Sequence, residues 1–462
     1  MGFMMATGIA ALAVAYADAV VRTPAAGTAA TAIQEVASLA DLRASREGGR
    51  PALRFSGIMS APQSAQKGKS PMAVTSGTLI SDALLKSCRE RAAGYDRDNK
   101  FCQEDFDELK AAGYLKMTIP PEFGGLGYTL NQATREARRL AQYAPATALC
   151  LNMHHYWVGT AADSWRAGDK SVGFILEDAG AGEVFAAGHA ESGNETSLLS
   201  SITKAEKVPG GYKFTGRKSF GSLTPVWTRL GVHGLDTSDP AHPKVVHGFL
   251  ARTTPGIAIK DTWDVLGMRA TRSDDTLLEG AFVPDSKIVR VVPAGLAGAD
   301  FFVLSIFAWA LMGFGNIYYG LAQRMLELTI EQVKSKTSPT MTRSMAHHPE
   351  VQTGIADMVM GLEAIGAQLE SVTQDWSNGV NHPDWPIKIV AAKYNAVETV
   401  WKIVDRALDL SGGFGMFKKS EMERLFRDAR AGRFHPANSS LAHELIGKLV
   451  LGVNFDDPKR WG

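Results

Sequence analysis

The chain has 462 residues, 45% of them hydrophobic, with 49 Lys and Arg against 48 Asp and Glu and a formal net charge of +1. That balance excludes a polybasic nucleic-acid surface and an acidic tail, and the length exceeds what one small core needs. Cys88, Cys102 and Cys150 follow no metal-ligand spacing, and so sparse and odd a set reads as reduced thiols in an intracellular, cytoplasmic protein.

The N-terminal stretch MGFMMATGIAALAVAYADAVV is apolar and Ala-rich. It lacks the Lys or Arg that a secretory leader carries ahead of its apolar run, and it is too short for a membrane span. Thr23 to Ser70 is rich in Ala, Ser, Gly and charge and has little periodicity. Residues 1–71 therefore read as a weakly structured extension, with Met72 as the expected start of the folded chain.

From Gly77 the pattern becomes helical. LISDALLKSCRERAAGYDRDNKFCQEDFDELKAAGYLKM reads as two amphipathic helices, with Asp105, Glu108 and Lys110 on a polar face and Phe106 and Leu109 inward. IPPEFGGLGYT, from Ile119 to Thr129, is a Pro- and Gly-rich loop, and helix resumes through NMHHYWVGTAADSW. The period then changes. SITKAEKVPGGYKFTGRKSFGSL reads as strand, turn and strand. RLGVHGL, KVVHGFLART, GIAIKDTWDVL and DTLLEGAFVPDSKIV follow as short β runs. Long helical patterns fill the remainder. The expected organisation is an α+β chain with helices over 72–180, a β domain over 181–292 and a helical bundle over 293–462.

Four segments in this order resemble the acyl-CoA dehydrogenase superfamily of flavoproteins. They are IPPEFGGLGYT, GYKFTGRKSF, LGMRATRSDDTLLEGAFVP and SGGFGMFKKSEMERLFRDAR. The resemblance spans Met72 to Gly452 and implies the acyl-CoA dehydrogenase fold, a flavin (FAD or FMN) at the domain junction and a dimer or tetramer. It places Ser222 beside flavin N5, where a hydroxyl can hydrogen-bond the reduced ring; a strand-end turn explains the same serine. It places Phe220 over the isoalloxazine. Gly412, Gly413 and Gly415 fall where main chain approaches a cofactor pyrophosphate, although a helix stop also accounts for them.

The chain departs from the family where the chemistry is done. The glutamate base of most branches falls on Pro436, the eighth residue after Asp428, and that of another branch on Ala310; neither accepts a proton. The arginine that reaches the FAD pyrophosphate falls on Lys336, followed by Ser338-Pro339, and the family glutamine before the glycines becomes Asp409. The phosphate-side segment becomes GHAESGNE, from Gly188 to Glu195. Together these imply a flavin held differently, as FMN or as exchangeable reduced flavin.

One branch of the superfamily consists of monooxygenases that take reduced flavin from a partner reductase, and the resemblance gives them histidines in place of the glutamate. His435 matches the first, and His154 or His155 the second. Imidazole suits acid–base work near neutral pH, and the proline after His435 fixes the backbone that aims it. The alternatives are a turn residue for His435 and buried core imidazoles for the adjacent pair. Arg269 either orders the site or forms a surface or interdomain ion pair. Neither the histidine pair nor Ala346 to His348 has metal-site spacing. The expected function is a two-component monooxygenase acting on a small molecule. The alternatives are an acyl-CoA dehydrogenase passing electrons to a partner, with His435 as base, and a non-catalytic subunit. No nucleic acid or membrane is expected as a partner.

Overall fold

The computed structural model describes residues 79–194, 197–337 and 339–455, all within one unit of the chain, Arg54–Gly462. The extension expected over 1–71, and the positions Glu195 and Ser338, lie outside the described residues.

Among the described residues, five helices precede the sheet: α1 (Asp82–Asp98), α2 (Gln103–Ala111), α3 (Leu130–Ala141), α4 (Pro145–Arg166) and α5 (Gly173–Gly180). Helix α1 starts at Ser81, whose side chain accepts from the Leu84 N–H, and stops at Asn99 in the left-handed region (φ 50°). A Thr129–Gln132 capping box opens α3. Leu85, Cys88, Ala92 and Tyr95 recur at helical spacing and form the buried stripe of α1. One expectation fails in α2. Asp105 is fully buried rather than on the polar face. Its carboxylate accepts from Arg91 Nε at 2.7 Å and Thr147 Oγ1 at 2.7 Å, which satisfies a charge that could not otherwise leave water.

Among the described residues the strands are β1 (Phe185–Gly188), β2 (Lys204–Val208), β3 (Gly211–Lys218), β4 (Arg229–Asp236), β5 (Lys244–Ala251), β6 (Ile257–Lys260), β7 (Asp275–Pro284) and β8 (Ile288–Pro293). Their order is β6-β7-β3-β2-β4-β5-β8, with β1 paired to β4. The β2–β3 hairpin has the expected place and turn, Val208 facing Gly211. Strand β1 is too short to show alternation in sequence; it is held by parallel pairing to β4.

Helix α4 is the layer between sheet and bundle. Trp157 Nε1 donates to the Ala186 carbonyl at 3.0 Å, and a Cβ at Gly231 of β4 would stand 2.3 Å from its ring. On the other side, a Cβ at Gly159 would stand 2.3 Å from the Trp309 ring. Glycine at both places makes room for an indole.

The C-terminal helices are α6 (Phe301–Ser335), α7 (Pro349–Ser377), α8 (Trp385–Ser411), α9 (Glu421–Arg430) and α10 (Ser439–Leu451). Helix α6 is long and apolar enough to cross a bilayer, but 78% of that apolar window is buried inside the protein, where it forms the central rod of the bundle. Asp163 of α4 accepts from Trp309 Nε1 of α6 at 2.7 Å and Trp376 Nε1 of α7 at 2.8 Å. A single half-buried carboxylate therefore joins three helices.

Three imidazoles meet beneath the sheet. The ring centroids of His189, His233 and His247 lie 4.9 to 6.0 Å apart, beside Lys218, Glu191 and Tyr156. Burial first, then the Lys218 and Arg290 charges, lowers His247 to about 3, and burial lowers His154 to about 4. Both bases have folded values below the unfolded one, near 6.5. Below pH 6.5 the unfolded chain takes up protons that the folded chain refuses, so stability is full above that pH and falls as pH drops toward 4. Each such imidazole contributes about 1.4 kcal/mol per pH unit in that window. The melting temperature should therefore fall between pH 7 and pH 5, and His247→Phe should flatten the slope in a pH series of thermal melts.

Candidate functional site

All three layers meet at Arg427 and Asp428 near the end of α9. The Arg427 guanidinium donates to both carboxylate oxygens of Asp96 on α1 (2.9 and 2.6 Å), to both of Glu423 (2.7 and 2.9 Å) and to the Leu266 carbonyl (2.9 Å). Asp428 accepts the Met268 backbone N–H, and burial pushes its carboxyl up to about 6. A Cβ at Gly267 would stand 2.3 Å from the Arg427 carbonyl oxygen, so only glycine lets the strand loop approach this closely. Arg269 donates to the Asp96 carbonyl at 2.8 Å and the Val265 carbonyl at 2.8 Å. It is an interdomain tie.

The loop after β3 runs beside this junction. Phe220 (φ 56°) and Leu223 (φ 70°) both adopt left-handed backbone, which turns the Phe220 ring outward, 61% exposed and edge-on to Trp263. Ser222 is buried. Its Oγ lies 2.7 Å from Ser273 Oγ, which lies 2.7 Å from Thr271 Oγ1, which donates to the Met268 carbonyl at 2.8 Å. A cavity of about 430 Å³ opens alongside, its lining including Asn99, Phe101, Thr224, Pro225 and Arg272.

His435 follows the short 3₁₀ turn Ala431–Phe434 that ends α9. Its half-buried ring stacks on Phe314 of α6, centroids 4.3 Å apart and planes within 14°. Nε2 lies 2.9 Å from the Tyr318 hydroxyl. That phenol has no second partner, so it donates to Nε2 and leaves the ring hydrogen on Nδ1. Lys393 of α8, fully buried, donates to the His435 carbonyl at 2.7 Å and the Ala437 carbonyl at 2.9 Å. Burial lowers Lys393 to about 7. Burial and then the Lys393 charge lower His435 to about 3. The expectation of an imidazole that changes charge near neutral pH is corrected on this point: His435 is a neutral ring with one N–H to give.

The second expected histidine is not brought to the first. His154 Nε2 donates to the Leu115 carbonyl at 2.9 Å while Nδ1 accepts from the Phe185 N–H at 3.3 Å, so both nitrogens serve backbone. His155 Nδ1 pairs with Thr118 at 3.3 Å, and its Nε2 has no partner. Both rings are buried, and no hydrogen bond or ring contact links either to His435, Phe314 or Tyr318. They are core residues, because α4 is covered on every side.

The glycine loop behaves as a helix stop with an open tip. Gly412 (φ 65°) ends α8, its N–H on the Asp409 and Leu408 carbonyls. Gly413 has open space where a Cβ would stand, and Gly415 packs its backbone on Ser411. Lys336 Nζ donates to the Ser411 carbonyl at 3.1 Å, so the ammonium is committed to the loop backbone, and Asp409 is exposed. No hydrogen bond or ring contact joins this loop to Phe220 or Ser222 among the described residues. Sequence reasoning missed Ser273, Thr271, Tyr318 and Lys393. The hydroxyls stand in the quoted ATRSDD segment, but nothing in their spacing announces a chain.

Arg427→Met leaves the Asp96 carboxylate without its guanidinium and Glu423 with Lys418 alone. The cost should be on the order of 3 kcal/mol, read from urea midpoints, and Asp96→Asn in the same background should recover part of it.

Two family models match: acyl-CoA dehydrogenase, N-terminal domain, over residues 79–165, and acyl-CoA dehydrogenase, C-terminal domain, over residues 312–440. The amino sugar nitrososynthase DnmZ of Streptomyces peucetius is 26% identical over 80% of this chain and 92% of its own length. The mitochondrial isovaleryl-CoA dehydrogenase of Oryza sativa subsp. japonica is 25% identical over 78% of this chain and 86% of its own. Among solved structures, KijD3 in complex with FMN and a dTDP-linked 3-amino-4-keto sugar is similar at a TM-score of 0.70 and 25% identity, covering 82% of this chain and 93% of that one.

Proposed function

Because the chain belongs to the acyl-CoA dehydrogenase superfamily, whose members are flavin-dependent oxidoreductases, we propose that it is the oxygenase of a two-component monooxygenase acting on a small organic molecule. One observation carries this reading. At the two places where the dehydrogenases keep a carboxylate, this chain has Pro436 and Ala310, and the histidine beside the first is held neutral. His435 Nε2 already accepts from the Tyr318 hydroxyl and Nδ1 carries the ring hydrogen, so no free lone pair remains for a carbon-bound proton, which disfavours the dehydrogenase reading. The nitrososynthase relative and the FMN-bound amino-sugar complex support a substrate with an oxidisable nitrogen or similar heteroatom. The reading includes a flavin reductase as partner and a homo-oligomeric assembly.

The residues fit a flavin: an outward aromatic ring at Phe220, a hydroxyl oxygen at Ser222 and glycine backbone left open at Gly413. Reduced flavin, when bound, supplies two electrons to O₂, so that one oxygen atom enters the substrate and the other leaves as water. The chain's own groups do the rest. Phe220 would cover a ring face of the bound flavin, and Ser222 would meet N5. His435 offers its Nδ1–H as a fixed donor, its backbone held by Lys393 and its ring by Phe314 and Tyr318.

Anaerobic mixing of the flavin-loaded protein with a panel of acyl-CoA thioesters tests the assignment. No bleaching is expected, whereas reduced FMN with O₂ and an amine should give an oxygenated product. Bleaching by a thioester would establish the dehydrogenase reading instead. A purified protein that binds no flavin would leave only the non-catalytic subunit.

His435→Ala should lower turnover by about two to three orders of magnitude, the range for a lost fixed hydrogen-bond donor. His435→Gln, which keeps an N–H, should retain more, and the wild-type pH profile should show no ionisation near 6.5 from this ring. These follow from steady-state rates between pH 5 and pH 9 (roughly the imidazole range and its flanks).

The adenosine half of FAD meets no bidentate cation here, since Lys336 is turned onto Ser411 and Asp409 is anionic. FMN should bind at least as tightly as FAD in equilibrium titrations. Stoichiometric FAD that survives gel filtration, with no measurable FMN binding, would overturn this.

A further inference from the structure

The hydroxyl chain behind Ser222 has a direction, and the direction follows from counting protons. Thr271 Oγ1 stands 2.8 Å from the Met268 carbonyl oxygen, which only accepts. Two oxygens at that separation need a hydrogen between them, so the one hydrogen of Thr271 is used there. Ser273 Oγ, 2.7 Å from Thr271 Oγ1, therefore has to donate to it. Ser222 Oγ, 2.7 Å from Ser273 Oγ, has to donate in turn. All three side chains are buried, Thr271 completely, which shields the chain from exchange with solvent. The anchor is fixed from behind as well. Met268 gives its own N–H to Asp428, and its carbonyl also receives the Thr271 N–H and Trp263 Nε1. Ser222 thus has no hydrogen left, and toward any ligand its oxygen presents lone pairs alone.

That polarity discriminates between the two redox forms of a flavin. N5 of the oxidised isoalloxazine is a bare acceptor, and two lone pairs facing each other repel. Two-electron reduction places a hydrogen on N5, which then donates to the waiting oxygen. We propose that the Ser222–Ser273–Thr271 chain makes this site selective for reduced over oxidised flavin, with Ser273 as the positioning residue that sets the direction. The proposal rests on the flavin reading above. It gives an oxygenase that draws reduced flavin from a partner and releases the oxidised product a structural reason to do so.

The experiment is an anaerobic titration of the full chain with FMN and, separately, with chemically reduced FMN, for wild type, Ser273→Ala, Ser273→Thr and Ser222→Ala. Wild type should bind the reduced form about tenfold or more tightly, the worth of one hydrogen bond gained against one lone-pair clash. A tenfold preference appears equally as a rise of about 30 mV in the midpoint potential of the bound flavin. In Ser273→Ala the Ser222 hydrogen is released to turn toward N5. Oxidised FMN should then bind more tightly and the preference should shrink by about tenfold. Ser273→Thr restores the hydroxyl and should restore the preference, which separates polarity from mere packing. Ser222→Ala should lose the preference by weakening the reduced form.

Wild type that binds both forms equally, or prefers the oxidised form, overturns the inference and leaves the flavin reading intact. A Ser273→Ala variant that binds both forms with the wild-type ratio does the same. Wild type that binds neither form removes the reading and the inference together.

Discussion

The paired contacts of Arg427 and Asp428 are the constraint on which the site depends. Arg427 reaches back to α1 through Asp96 and across to the strand loop through Leu266, while Asp428 holds the next residue but one of that loop, Met268. Three parts of the chain far apart in sequence are fixed at one point. The same Met268 carries the hydroxyl chain that ends at Ser222, and the same helix runs on to His435. The two groups proposed to meet flavin and substrate are thus referred to a common anchor, and a small displacement there moves both.

The fold makes unusual use of buried polar groups. Asp105 and Asp428 are carboxylates in the interior and Asp163 is half-buried, each held by donors from other elements. A buried carboxylate is costly unless its oxygens are satisfied, so it tolerates few alternative arrangements of its donors. Such groups add little net stability but restrict the number of ways the helices can pack. The imidazoles under the sheet work the other way. His247 has neither nitrogen paired, so its ring acts as an aromatic filler that tolerates neutral conditions and resists acid.

How much of this was legible in sequence depended on whether the signal was local. The β2–β3 hairpin, the long C-terminal helices and the Gly412 stop carry their own turn and period chemistry, and they stand where the pattern puts them. Asp105 was misplaced because a periodic pattern records which residues are polar, not whether Arg91 and Thr147 will be there to receive a charge. The pair His154 and His155 was misleading for a related reason. Their helix is buried around its whole circumference, so no face of it distinguishes a cavity from core. The break at His435-Pro436 was visible, but the ring's neutrality was not. That is set first by burial against aromatic side chains of another helix and then by the charge of Lys393, more than forty positions upstream. Residue type marked the candidate, and only its three-dimensional neighbours bear on its protonation.

The two indoles at α4 have a consequence for how the layers can move. Trp157 projects from that helix into the hollow left by Gly231, while two residues on, Gly159 receives Trp309 from the opposite layer. The helix is keyed to both neighbours, one indole leaving it for the sheet and one entering it from α6. Sliding it by a single residue, or rocking the sheet off the bundle, would drive an indole into backbone before any gap appeared. Relative motion of the two layers is thereby opposed at this helix. The open cavity lies elsewhere, at Asn99, Phe101, Thr224 and Pro225.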